Sequence, residues 1–170
     1  GDIKELTEIA EPDFGLITNV GMAHLQGFGS LEGVIRTKGE LFDYLRTKTN
    51  ATIFINNDNK YLTEIAQDLN QIRYGTPQEH LPLRVSGEVI DCAPYLHFRW
   101  HMGNSAWNEV QTHLIGSYNI DNMMAAATIG LYFGVTPSQI NEALTEYIPR
   151  NNRSHLEHTS HNRLIIDAYN

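Results

Sequence analysis

A chain of 170 residues with 41% hydrophobic and 19% charged residues can bury a sizeable core and has the balance of a globular protein. Its formal net charge of -8 excludes a protein built to coat nucleic acid, yet it leaves room for a nucleotide site, which draws phosphate with local dipoles and metal. The single cysteine, Cys92, excludes an internal disulfide framework and suits a reducing compartment, and no apolar run approaches the ~18 residues of a membrane span.

The spacing of Ile3, Leu6, Ile9 and Ala10 predicts a short helix, stopped by Pro12 and Gly15. "GLITNVG", residues 15–21, is apolar and β-rich and predicts a buried strand. "GFGS" is a turn, and Ser30 is placed to cap the next helix. Leu31, Val34, Ile35, Leu41, Phe42 and Leu45 fit one face of that helix, of about four turns over 30–46. "ATIFINND", 51–58, predicts a second buried strand with a polar tip at Asn56-Asn57-Asp58. "NKYLTEIAQDL", 59–69, reads as helix and "QIRYG", 71–75, as a short strand. Such alternation implies a parallel sheet with helices on its faces.

Residues 82–115 change character. Rough alternation and turn residues predict a small antiparallel sheet. Helices return over 119–134, ended by Gly134, and after Thr136, an N-cap with Pro137 at the first helical position. "RNNRSHLEHTSHNRLIIDAYN" predicts two strands joined near His161-Asn162. The expected fold class is therefore α/β: a mostly parallel sheet flanked by helices, with a small antiparallel sheet, in one domain over 1–170. The chain opens as a helix already under way and stops at the mouth of a strand, so a piece of a longer protein is expected.

Several side chains are placed for chemistry. His24 sits in a loop with Gly21, Gly27 and Gly29, beyond the carboxyl end of a strand, where α/β sheets collect ligands. It is either a packing histidine or a contact to metal or phosphate. Lys38 is flanked by Ile35, Leu41 and Phe42, on or near a partly buried face. Its alternatives are a snorkelling stem, an ion pair with Glu40 or Asp43, a phosphate contact, or a chemically modified amine. Asn119 and Asn122 are three apart at a helix start, facing one side, as caps or as amides that read a nucleobase. Arg153 is a surface arginine or a bidentate phosphate grip, and Asp167 is an acid at the end of a strand. The remaining seven histidines show no metal-site spacing and are expected to be surface or packing residues.

In order, "GDIKEL…IAEPDFGLITNVGMAHLQGFGSLEGVIRTKGELFDYL…IFINNDN", "GSYNIDNMMAA", "NRSHLEH" and "IIDAYN" resemble the Mur ligase family, the ATP-dependent amide ligases of peptidoglycan synthesis, and within it the MurF type. The resemblance implies a three-domain bacterial, cytoplasmic parent, expected to be monomeric, of which this chain is most of the central ATP domain. The phosphate-binding loop would lie upstream. The implied substrates are UDP-N-acetylmuramoyl-tripeptide and D-alanyl-D-alanine, with ATP and Mg2+ as cofactors and no nucleic-acid or membrane partner. The implied roles are Mg2+ binding for His24, carbamylation and metal binding for Lys38, adenine contact for Asn119 and Asn122, γ-phosphate contact for Arg153, and a place by nucleotide and hinge for Asp167. Gln26 and "RNNRSH" depart from the family's usual wording. The fragment alone is expected to be inactive, and a sheet edge bared by truncation is a route to self-association. Competing readings are a folylpolyglutamate or cyanophycin synthetase, and a non-catalytic module that kept the fold.

Overall fold

The computed structural model describes residues 2–21, 30–149, 155–158 and 162–166. The chain divides into two compact units, Gly1–Thr76 and Pro77–Asn170. The first contains α1 (Asp2–Ala10), β1 (Phe14–Leu16), α2 (Leu31–Arg46), β2 (Thr52–Asn56), α3 (Lys60–Ile65) and β3 (Asn70–Gly75). β2 pairs in parallel with β1 and with β3, in register Phe14↔Thr52 and Thr52↔Asn70. All five residues of β2 are buried, as expected of a parallel strand covered on both faces. Val34, Phe42 and Leu45 of α2 pack with Ile53, Ile55 and Leu62 in one apolar cluster. The Leu45 side chain of α2 packs so closely on β1 that a Cβ on Gly15 would lie 2.4 Å from Leu45 Cδ1, so any larger residue there would displace that side chain. Ser30 caps α2 as expected, accepting from Gly33 N at 3.1 Å.

Two elements are shorter than the sequence predicts. The strand expected over 15–21 pairs only to Leu16, although Ile17 and Val20 are buried as an apolar run should be. The carbonyls of Asn19 and Val20 are held by side chains rather than by a strand neighbour. The helix expected over 59–69 ends at Ile65, because the Ala66 carbonyl is taken by Leu69 N and by the Gln71 side chain.

The second unit holds β4 (Val85–Cys92), β5 (Tyr95–Met102), β6 (Asn108–Ile115), α4 (Asn119–Tyr132), α5 (Pro137–Glu146), β7 (His155–His158) and β8 (Arg163–Ile166). β4, β5 and β6 form the antiparallel sheet expected over 82–115. Along β5, Leu96, Phe98 and Trp100 are fully buried and alternate with half-buried Tyr95, His97 and Arg99. α4 lies tight on β4, where a Cβ on Gly87 would meet Met124 Sδ at 2.6 Å. Trp100 Nε1 donates to Asn141 Oδ1 at 2.9 Å, and Asn141 Nδ2 donates to Asn108 Oδ1 at 3.1 Å, which joins α5 to β5 and β6. Thr136 and Gln139 form a complete capping box behind Pro137. β7 and β8 pair antiparallel, with His158 opposite Arg163, as the predicted pair of terminal strands.

Candidate functional site at the carboxyl ends of the parallel strands

Lys38 lies on α2, half-buried, where the Ile35, Leu41 and Phe42 pattern predicts. Its Nζ donates to the Asn19 carbonyl at 2.6 Å. The two carboxylates expected as ion-pair partners are turned elsewhere. Glu40 accepts the Lys4 backbone N–H at 2.9 Å, and Asp43 binds Arg46 at 2.8 Å. Burial pushes the Lys38 ammonium below the ordinary lysine value, because a carbonyl dipole compensates a desolvated cation less than a carboxylate does. A lysine so placed is biased toward the neutral amine that acylation or carbamylation requires.

The same corner gathers asparagines. Asn59 caps α3, its Oδ1 accepting from Leu62 N at 3.2 Å. Its Nδ2 donates to Asn19 Oδ1 at 3.2 Å and to the Val20 carbonyl at 3.0 Å. Asn56 Oδ1 accepts from Asp58 N at 3.0 Å and turns the tip of β2. The sequence predicts a polar tip here but no task for Asn59. The readable signal was an asparagine at a strand-to-helix junction, a favoured N-cap.

In the second unit Asn119 and Asn122 are brought together. The N-cap of α4 is Tyr118, without a side-chain cap, so neither asparagine caps the helix. Asn119 is 7% exposed, and its Nδ2 donates to the Ile115 carbonyl at 2.9 Å. Asn122 is exposed and donates from Nδ2 to Asn119 Oδ1 at 3.4 Å. Asn119 thus ties the start of α4 to the end of β6 and orients Asn122 at the surface.

His24, Arg153 and Asp167 lie outside the described residues. Among the described residues, no group of three or more His, Cys, Asp or Glu is gathered for a metal. Lys38 alone offers a cation no ligand while protonated; the chemistry fits Mg2+ only if the lysine becomes an oxygen-donor carbamate and His24 joins it. A cleft of about 300 Å3 between α1 and α2, and one of about 440 Å3 beside Tyr95, His97 and His113, contain none of the predicted site residues. The histidines of the antiparallel sheet, expected as surface or packing residues, each meet a neighbouring group. His97 Nε2 meets Glu109 Oε1 at 2.6 Å, His101 Nδ1 lies 2.7 Å from the Gly103 carbonyl, and His113 Nδ1 lies 2.9 Å from the Thr145 carbonyl. No helix among the described residues is long and apolar enough to cross a membrane.

Comparison with known proteins agrees with this architecture. The UDP-N-acetylmuramoyl-tripeptide–D-alanyl-D-alanine ligase of Bacillus subtilis is 30% identical over 171 residues, covering 100% of this chain and 36% of that protein. The corresponding ligase of Mycobacterium tuberculosis H37Rv is 29% identical over 174 residues, covering 100% of this chain and 33% of that protein. The chain therefore spans about a third of the length of these relatives. In fold it matches MurF ligase from Thermotoga maritima, solved in complex with ADP, with a TM-score of 0.82 at 22% identity over 100% of this chain and 38% of that one. Folylpolyglutamate synthase from Thermotoga maritima shares the fold more distantly, with a TM-score of 0.64 at 13% identity over 93% of this chain and 35% of that one. The family model for the Mur ligase middle domain matches residues 1–130, so the chain belongs to the Mur ligase middle domain family.

Proposed function

We propose that residues 1–170 are the central, ATP-handling domain of a MurF-type ligase that joins D-alanyl-D-alanine to UDP-N-acetylmuramoyl-tripeptide in bacterial peptidoglycan synthesis. The observation that carries this reading is Lys38: a half-buried amine with a depressed pKa, anchored on the Asn19 carbonyl at the carboxyl ends of the parallel strands. Family membership and the relatives of Bacillus subtilis and Mycobacterium tuberculosis support it.

Bound ATP with Mg2+ would supply the phosphoryl group that activates the tripeptide carboxylate as an acyl phosphate; the amine of D-alanyl-D-alanine would then attack its carbonyl carbon, and inorganic phosphate would leave. This chain's residues align and neutralise around that exchange. The neutral Lys38 amine attacks CO2 through its nitrogen lone pair and loses a proton to solvent. An N-carboxylate results, and this anion, together with His24, would hold Mg2+ where the ammonium would repel it. Asn122, oriented by Asn119, presents an amide at the start of α4 for the adenine edge. Arg153 offers a fork for the γ-phosphate and Asp167 an acid by the nucleotide. The parent acts in the cytoplasm as a monomer, on this reading.

The test is product analysis on the full-length ligase, supplied with ATP, Mg2+, D-alanyl-D-alanine and tripeptides carrying either lysine or diaminopimelate at the third position. A pentapeptide product from one of them is expected, and Lys38→Ala is expected to lower kcat by about a hundredfold. Glutamylation of folate in a parallel assay supplied with folate, glutamate, ATP and Mg2+, or no amide product from either tripeptide, would overturn the reading. So would efficient ligation by the 170-residue chain alone.

A further inference from the structure

Asn59 has two jobs that most caps do not combine. Its Oδ1 must face the Leu62 N–H to cap α3, which fixes the orientation of the amide and turns Nδ2 toward the chain beyond β1. That chain, residues 17–21, has left the strand ladder. Its two carbonyls nearest the corner are claimed from two elements: Asn19 by Lys38 of α2 and Val20 by Asn59 of α3. The Asn59 amide also holds the Asn19 side chain, 40 residues away in sequence. A serine, threonine or aspartate would cap α3 about as well. Among the favoured caps, only asparagine adds two N–H donors to the acceptor, and here those donors reach the Asn19 side chain and the Val20 carbonyl, on either side of the peptide whose carbonyl Lys38 grips.

We infer that Asn59 is a positioning residue: it clamps residues 19 and 20 against the start of α3 and thereby fixes the Lys38 nitrogen for its part in the reaction. The inference deepens the ligase reading and rests on it for the kinetic consequence. The clamp itself does not depend on that reading. The Lys38 amine sits at the end of a long, flexible stem, and a half-buried amine without a fixed acceptor would lose both its place and its compensation. The Asn19 carbonyl is that acceptor, and it stays in place only while the peptide is tied down.

The test uses the full-length ligase with Asn59→Asp and Asn59→Ser, both of which keep the cap of α3. Thermolysin cuts on the amino side of large apolar residues, so cleavage of the Asn19–Val20 bond reads opening of the clamp without reference to activity. In both variants this cleavage is expected to rise about tenfold, because hydrogen bonds to the segment are lost while the cap remains. kcat is expected to fall by about tenfold or more, with KM for D-alanyl-D-alanine within about threefold of its original value. Asn19→Ala leaves α3 and its cap untouched, and it should raise cleavage by a smaller factor even if a cap variant folds poorly. Unchanged cleavage in all three variants would overturn the clamp. Raised cleavage with unchanged kcat would overturn the positioning role. An unaltered enzyme that makes no amide product would instead remove the ligase reading and leave the proteolysis result to judge the clamp.

Discussion

The two units bury their strands in different ways, and their polar groups differ accordingly. In the first unit β2 is buried at every position, so no chemistry can sit along the strand. Polar side chains collect past its carboxyl end instead, where Asn19, Lys38 and Asn59 converge. In the second unit β5 buries one face and offers the other to solvent. That open face is rich in charge and aromatic rings, yet its groups are bound to one another: Arg99 pairs with Glu88, His97 with Glu109, and the Arg99 guanidinium lies 4.4 Å from the centre of the Trp107 ring. A parallel strand covered on both sides exports its function to its ends. An antiparallel strand with one wet face spends its polar residues on holding the sheet.

The contrast makes a direct prediction. Ile55→Ala in β2 removes a fully buried side chain and should cost about 2–5 kcal/mol. Gln111→Ala, on the exposed face of β6, should stay within about 0.5 kcal/mol of the original. Urea unfolding followed by far-UV circular dichroism measures both. Comparable costs for the two would break the distinction between a covered and an open strand.

The second unit has a sharper point of failure on its buried side. Trp100→Phe keeps most of the ring but deletes the N–H that Asn141 accepts. The Asn141 oxygen then loses its partner in a half-buried corner, and about 1–3 kcal/mol should go with it. Adding Asn141→Leu removes that unpaired oxygen. The double variant should therefore be less destabilised than the sum of the two single ones, and simple additivity would show that the bond does not couple α5 to β5. Thr136→Ala should cost less, about 1 kcal/mol, since it removes one half of an exposed capping box; its thermal midpoint reads the effect.

These elements were legible to different degrees. The caps at Ser30 and Thr136 are set by residues three positions apart, and local sequence carries them in full. The burial of Lys38 was readable from its apolar neighbours, but its partner was not. Glu40 and Asp43 were nearer in sequence, whereas the structure gives the amine the carbonyl of Asn19. β1 is shorter than the run over 15–21 predicts for the same reason. Ile17 and Val20 are as apolar as a strand requires, and only the lysine of α2 and the cap of α3 show why their segment leaves the ladder. Asn119 shows the opposite error of scale: it stands near a helix start as a cap would, but its amide reaches back to Ile115 instead. Periodicity reports which side a residue faces. Which distant carbonyl it meets is a tertiary fact.

The smallest effect concerns the surface tie between α2 and the turn after α3. Arg46 binds Asp68 with Nε at 2.8 Å and Nη2 at 2.9 Å, and it also donates to the Ile65 carbonyl. Hydrogen bonding from Arg46 holds the Asp68 carboxyl below the usual carboxylate range. A carboxyl whose pKa is depressed by folding stabilises fully above its unfolded value, about 3.9, and loses that contribution as pH falls through the lower folded value. Asp68→Asn should therefore lower the thermal midpoint at pH 7, by about 2 °C at most because the carboxylate is exposed and salt-screened. The gap between variant and original should close as pH drops below about 4. It should also shrink in high salt at pH 7, whereas the Ile55→Ala deficit should not. A gap that persists at low pH would mean that Asp68 contributes through the shape of the turn rather than through its charge, and the exposed pair would then resemble the structural contacts of the open β5 face.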